Sequence, residues 1–315
     1  MDVNYGMELV RATEIAALSA ARLQGLGDVD YTLNTTRKAF YKTLDRLQID
    51  GKIKNDRFVD RDNTYQMPEK IGSGGVKKDV TAVALEGHNA TANGRNNAIS
   101  CAILAAEDGI QSVPNLSMFK MVVSQEAYGV IDIQQPPVIN VKRVARALNK
   151  YTESVTVCIL DHARHHRLIH EVQSSGARIK LISEGEISGC LAAILGNKVD
   201  LFMGYGFTPE AVITAAAVRC LGGYFEGKIF YENDRDKELA KEVGIEDYDK
   251  IFKAEDLVRT NKVAFAATGV TDGEYLEGVE FTSNGAITHS FVARAQSHTY
   301  RRLETRHFFD FQPVY

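Results

Sequence analysis

Three short stretches of this 315-residue chain carry groups that could do chemistry: Glu86-Gly87-His88, Asp161-His162-Ala163-Arg164 and Glu184-Gly185-Glu186, with Glu210 further along. Carboxylates gathered in one cleft can hold hard divalent cations or exchange protons with a substrate. Imidazole adds a group that gains and loses a proton near neutral pH, and together with carboxylates it offers a mixed nitrogen and oxygen metal site. Arginine contributes a planar fork suited to phosphate. On these grounds Glu86, His88, His162, Arg164, Glu184, Glu186 and Glu210 are the candidate site residues.

Strand ends are the natural way to position such clusters. Residues Val80 to Leu85 are apolar almost without a break, as in a strand covered on both faces, and Gly87 permits the sharp turn that presents Glu86 and His88 to a cleft. Further strands are expected over 155–160, 178–182 and 199–203, alternating with helices over 166–174, 187–195 and 209–221. Such alternation implies a parallel sheet covered by helices, with ligands at the carboxyl ends of the strands. There stand Asp161, His162, Arg164, Glu184, Glu186 and Glu210. A structural reading accompanies the functional one. Thr208 can cap a helix, Pro209 can occupy its first turn and Glu210 can favour its dipole, while His165, His166 and His170 read as solvated imidazoles at a helix start.

Around this centre the spacing predicts an alanine-faced helix over 7–24, a second over 34–47 and an exposed loop over 52–68, with a glycine turn at 72–75. Strands follow over 97–107 and 118–123. The run Gln134-Gln135-Pro136-Pro137 reads as a linker, followed by a helix over 141–149. The chain then divides into an N-terminal α+β unit, 1–137, and a C-terminal α/β unit, 138–315. A charged helical excursion over 231–253 reads as peripheral, and strands are expected over 263–268 and 287–293. Thr299-Tyr300-Arg301-Arg302 with Arg306 forms a small basic cluster near the end.

Composition bounds the function. With 37 basic and 41 acidic residues and a formal charge of −4, no overall positive field invites nucleic acid or an anionic membrane. The first residues lack a basic region followed by an apolar core, and no run of about 18 apolar residues occurs; a cytoplasmic protein is expected. Cys101, Cys158, Cys190 and Cys220 are widely spaced without a Cys-x-x-Cys pair and read as reduced core thiols.

Taken together, several stretches resemble the class II fructose-1,6-bisphosphatases, metal-dependent sugar phosphatases of the inositol-monophosphatase-like group. They are Arg11-Ala12-Thr13-Glu14-Ile15-Ala16-Ala17-Leu18, Gly25-Leu26-Gly27-Asp28, Glu69-Lys70-Ile71-Gly72-Ser73-Gly74, Phe265-Ala266-Ala267-Thr268-Gly269-Val270-Thr271-Asp272-Gly273, Leu276-Glu277-Gly278-Val279 and Arg301-Arg302. The resemblance spans nearly the whole chain. It implies a layered α/β/α/β/α sandwich of two intimately packed subdomains, homo-oligomeric assembly, Mg or Mn, and hydrolysis of the 1-phosphate of fructose 1,6-bisphosphate.

Matched residue by residue, the family's cation ligands are largely replaced. Its Asp after the first helix falls on Leu33, the Glu of its Gly-Glu-Gly-Glu segment on Arg57 beside Asp56, and the Asp of Asp-Pro-x-Glu-Gly-Thr on Val83, with Thr replaced by His88. Glu86 and Glu210 match retained positions, leaving Glu86, Glu210 and Asp56, with Asp79 nearby in sequence, as the candidate metal ligands. A substrate-contacting Tyr falls on Ser117, Lys-Pro-Arg on His162-Ala163-Arg164, and Asp-Gly-Asp on Glu184-Gly185-Glu186. Arg164, Arg301 and Arg302 could hold phosphate without a metal. The expectation is a binder of a phosphorylated sugar or polyol that has lost two-cation hydrolysis, acting as a noncatalytic or regulatory paralogue that could pair with an active homologue. Two alternatives stay open: changed chemistry on the same scaffold through His88, His162 and the glutamates, and an active Mg- or Mn-dependent bisphosphatase.

Overall fold

The computed structural model describes residues 5–55, 68–196 and 198–311. Helices α1 (Tyr5–Ala21) and α2 (Val29–Leu44) open the fold. Ala12, Ala16, Ala17 and Ala20 on α1 are fully buried, and these small side chains let α2 and the sheet beneath approach closely. α2 begins earlier than its apolar spacing suggested, because Asp28 caps it by accepting the Tyr31 N–H at 2.9 Å.

Strands β1 (Ile49–Asn55), β2 (Lys70–Ile71) and β3 (Val76–Glu86) follow, then α3 (His88–Ala92) and β4 (Ile99–Ala106). β1 corrects the expected loop over 52–68: the alternation of Lys52 and Lys54 with Ile53 conceals a strand that pairs in parallel with β3. Residues 56–67, including Asp56 and Arg57, lie outside the described residues. In β3 the apolar run divides by pleat. Val80, Ala82 and Ala84 pack toward α1 and α2, while Val83 packs toward the middle of the molecule, so both faces of the strand are covered.

The middle of the chain contains β5 (Ser117–Val123), α4 (Pro137–Ala147), β6 (Thr156–Leu160), α5 (His166–Ser174), β7 (Arg178–Ile182) and α6 (Glu186–Ile194). It continues through β8 (Leu201–Phe207), α7 (Thr208–Leu221), β9 (Tyr224–Ile229), α8 (Asp234–Glu242), β10 (Ile251–Lys253) and α9 (Ala254–Leu257). The expected proline linker is instead a helix start. Pro137 is the first residue of α4, where a missing N–H leaves nothing unsatisfied. The excursion over 231–253 is not simply peripheral either, since Ala240, Ile245 and Phe252 are buried in the main core cluster. Strands β11 (Val263–Gly269), β12 (Glu280–Thr282), β13 (Gly285–Arg294) and β14 (Thr299–Phe308) complete the fold.

These strands form an eight-stranded sheet, in which β12, β13, β11, β4, β3, β1 and β2 lie side by side and β14 flanks β13, and a six-stranded sheet in the order β10-β9-β5-β8-β6-β7. The second sheet is mixed, not parallel throughout. The β/α alternation holds from β6 to β8, but β5, arriving from earlier in the chain, is inserted antiparallel between β8 and β9. α1 and α2 cover the outer face of the first sheet, α6 and α7 lie between the sheets, and α4 and α5 cover the far face of the second. This is the expected layered sandwich. Residues 1–137 and 138–315 each supply strands to both sheets. The four cysteines are free and buried, and burial pushes the Cys158 and Cys220 thiols up to about 12. Among the described residues no helix is long and apolar enough to cross a membrane.

Candidate active site

At the carboxyl end of β3 the pairing with β4 slips: Val83 lies opposite Cys101, but Glu86 opposite Ile99. One extra residue on β3 makes a bulge, a device that re-aims a side chain. Without it Glu86 would face α1, away from Val83; with it, Glu86 turns inward to α6. Gly87 then takes φ 80° and ψ 36° ahead of α3. A Cβ there would sit 2.9 Å from the Ala98 Cα, so only glycine suits both the backbone and the space.

The end of β7 repeats this turn. Gly185 takes φ 87° and ψ 54° ahead of α6, and a Cβ on it would meet the Asn97 carbonyl oxygen at 2.3 Å. The two turns exchange carboxylates. Both oxygens of Glu86 accept the Ile187 N–H of α6, at 3.1 and 3.0 Å, while Glu184 Oε2 accepts the Ala90 N–H of α3 at 3.2 Å. Each acid therefore meets the first-turn N–H groups and positive dipole end of a helix on the opposite sheet.

A cavity of about 250 Å³ lies against these turns and is lined by Glu86, His88, His162, Arg164, Glu184 and Glu186. The structure thus brings together side chains from the three stretches singled out in the sequence, and His88 and His162 share one pocket. His162 Nδ1 accepts the Arg164 N–H at 3.3 Å, and Arg164 donates through Nη2 to the Tyr205 carbonyl at 3.0 Å. Glu186 is buried and forms an ion pair with Lys120, whose Nζ also donates to the Phe207 carbonyl at 2.8 Å. Gly206 leaves room for the Glu186 carboxylate.

Lys120 is the residue that sequence reading missed. Its signal was a lone lysine in the apolar run Met118 to Val123, a position tolerable inside a two-sided core only with a charged partner. His165 also differs from expectation, being fully buried. Nδ1 lies 2.9 Å from the Leu160 carbonyl and Nε2 accepts the Tyr205 N–H at 2.8 Å, which sets a neutral ring protonated at Nδ1. Burial, reinforced by the Arg164 charge, lowers its pKa to about 4. It buttresses the site as a structural group.

The remaining candidates lie elsewhere. Ser117 does not line the cavity, although its partner across β5 and β8, Phe207, does. Arg301 and Arg302 are on β14, away from the lining; Arg302 stacks on Tyr275 at 4.5 Å and donates to its hydroxyl at 2.9 Å. Glu210 is buried in the first turn of α7, outside the lining. The cap of that helix is Phe207 and not Thr208, whose hydroxyl bonds instead to the Pro114 carbonyl. Asp79 sits at the other end of β3, where it accepts the Ile110 N–H at 3.0 Å.

A pair of divalent cations would need several converging oxygen ligands. Leu33 packs with Ala17, Ala20 and Leu85, and Val83 lies in the core between the sheets. Among the described residues no three His, Cys, Asp or Glu side chains are grouped to hold a metal ion. The described donors do not fit a two-cation centre.

Comparison with known proteins agrees with the architecture. The sequence model of the family described as bacterial fructose-1,6-bisphosphatase, glpX-encoded, matches residues 3–307. A protein of Synechococcus sp. (strain JA-2-3B'a(2-13)), named D-fructose 1,6-bisphosphatase class 2/sedoheptulose 1,7-bisphosphatase, is 33% identical over 340 aligned residues, covering 99% of this chain and 98% of the relative. Identically named proteins of Trichodesmium erythraeum and Microcystis aeruginosa are 32% and 31% identical, covering 98% and 100% of this chain and 97% and 99% of their own lengths. With the fold, the paired glycine turns and this end-to-end similarity in agreement, the chain belongs to the class II fructose-1,6-bisphosphatase family.

Proposed function

We propose that the cavity binds a phosphorylated sugar or polyol and that the protein no longer performs two-cation phosphoester hydrolysis, serving as a noncatalytic or regulatory member of its family. One observation carries this reading: at two of the positions where the family resemblance places carboxylates this chain has Leu33 and Val83, and both side chains are packed in apolar clusters, although Glu86 and Glu210 match retained positions. Nearby, Glu86 is engaged with the Ile187 N–H. What persists is suited to binding. Arg164 offers a guanidinium for phosphate and Glu184 a carboxylate for sugar hydroxyls, and the relatives named for sugar bisphosphates supply the ligand class. From the family resemblance we carry over a homo-oligomeric, cytoplasmic protein, or one partnered with an active homologue; sedimentation of the purified protein reads the assembly.

The test is phosphate release from fructose 1,6-bisphosphate with Mn²⁺ or Mg²⁺, run beside calorimetric titration of the same sugar. Binding without turnover, weakened about tenfold or more by Arg164→Ala through loss of a charge-assisted contact, is expected. Sustained turnover would overturn the reading. A second reading, changed chemistry on the same scaffold, is favoured by the meeting of His88, His162 and Glu184 in one cavity, where imidazole and carboxylate can trade protons. Stoichiometric Zn, Fe or Mn in the purified protein would favour it.

A further inference from the structure

At the opposite end of the eight-stranded sheet is a cavity of about 510 Å³, larger than the candidate active-site cavity and within the range of small-molecule sites. Strand register explains its chemistry. Lys78 pairs with Ala106, whose N–H bonds to the Lys262 carbonyl, so these residues form one row across β3, β4 and the start of β11. Two residues inward along β3, Val80 pairs with Leu104, Leu104 with Ala264, and Ala264 with Arg294. Because side chains two apart share a face, Lys78, Lys262 and Arg294 all point to the face covered by α1. All three line the cavity, and Leu104 and Ala264 form its apolar floor.

Among the described residues no carboxylate lines this cavity and none of the three cations makes an ion pair. Lys78 instead lies over the Tyr5 ring, with Nζ 5.0 Å from its centroid, an interaction that does not neutralise its charge, and it also borders a separate cleft lined by Asp79 and Glu107. In a chain of net charge −4, three like charges on one concave face repel one another until an anion arrives. Lys78 and Glu86 are eight residues apart on one strand, on the order of 26 Å at ~3.3 Å per residue; the two cavities are separate sites.

We infer that the cavity bounded by Lys78, Lys262 and Arg294 is a second ligand site, for a small oligoanion carrying at least two negative charges. Phosphate esters and polycarboxylates share this chemistry. The inference does not depend on the activity proposed for the other cavity.

Titration calorimetry at low salt with inorganic pyrophosphate, and separately with citrate, tests it on the full chain. The expected result, read in an Arg164→Ala background so that the other cavity does not contribute, is saturable binding of at least one anion, weakened about tenfold or more when Lys262→Ala and Arg294→Ala are added, by loss of charge-assisted bonds. Binding of pyrophosphate alone assigns a phosphate ligand, citrate alone a polycarboxylate, and both a site that reads charge. Lys262 and Arg294 are exposed, and thermal unfolding of the resulting variant checks that it folds. Absence of saturable binding to the folded Arg164→Ala protein, or equal binding once Lys262→Ala and Arg294→Ala are added, would each overturn the inference.

Discussion

The buried pair between Lys120 and Glu186 couples stability to the shape of the candidate site. Lys120 has no exposed side-chain surface and the Glu186 side chain is 6% exposed, so neither charge has water to fall back on. Removing one partner from such a pair costs about 3–5 kcal/mol because the other charge is left buried alone, whereas removing both can be far milder. Lys120→Met is accordingly expected to lose about 3 kcal/mol or more in urea unfolding, and Lys120→Met/Glu186→Gln to recover much of it, giving a coupling energy above about 1 kcal/mol. A Lys120→Met cost below about 1 kcal/mol would mean that the pair does not hold Glu186 in place. The apolar run containing Lys120 signalled a buried strand but not the partner, which lies beyond α4 and α5 in the sequence and meets it only when the second sheet closes. Likewise, Arg301 and Arg302 carry the right chemistry for phosphate, but β14 pairs them into the far edge of the first sheet.

Two strand-turn-helix elements clasp each other across the sheets through Glu86 and Glu184. A side-chain cap is worth about 0.5–2 kcal/mol, and Glu86 should fall at the upper end, since it is 2% exposed and bonds through both oxygens. Glu86→Ala is expected to cost about 2 kcal/mol, Glu86→Gln less because one amide oxygen can still accept the Ile187 N–H, and Glu184→Ala about 1 kcal/mol. Denaturant midpoints for the series measure this ranking. A neutral Glu86→Ala would remove the cap from the account of how β3 is tied to α6. At this scale the sequence was most informative where a single pattern was unmixed. The turn at Gly87, the helices α5 to α7 and the strands β6 to β8 all follow from periodicity and glycine. Strand β1 did not, because Asp50, Lys52 and Lys54 interrupt its apolar residues, nor did β10, which is only three residues long, and the proline pair at the start of α4 signals a helix start as readily as a linker. The exchange of caps was illegible, since nothing local pairs residue 86 with residue 187.

On the scale of the whole molecule, the sheets do not belong to separate stretches of chain. β4 pairs with β11 from the far end of the chain and β11 in turn with β13, while β5 is enclosed by β8 and β9. α6 and α7 are buried between the sheets, and the largest core cluster draws on both of them and on both sheets. Losing either sheet would expose the apolar surface of these shared helices at roughly 25 cal/mol per Å², a cost the remaining half would have to carry without half of its core. The two units expected at 1–137 and 138–315 should therefore not unfold separately. Equilibrium urea unfolding of the full chain is predicted to show one transition, with far-UV circular dichroism and tyrosine fluorescence coincident; the chain has 13 Tyr and 0 Trp, so the emission reports residues spread through both sheets. Two resolved transitions, or midpoints that differ between the probes, would show that one sheet survives without the other. The shared helical layer would then be a contact between independent domains and not the common core of one.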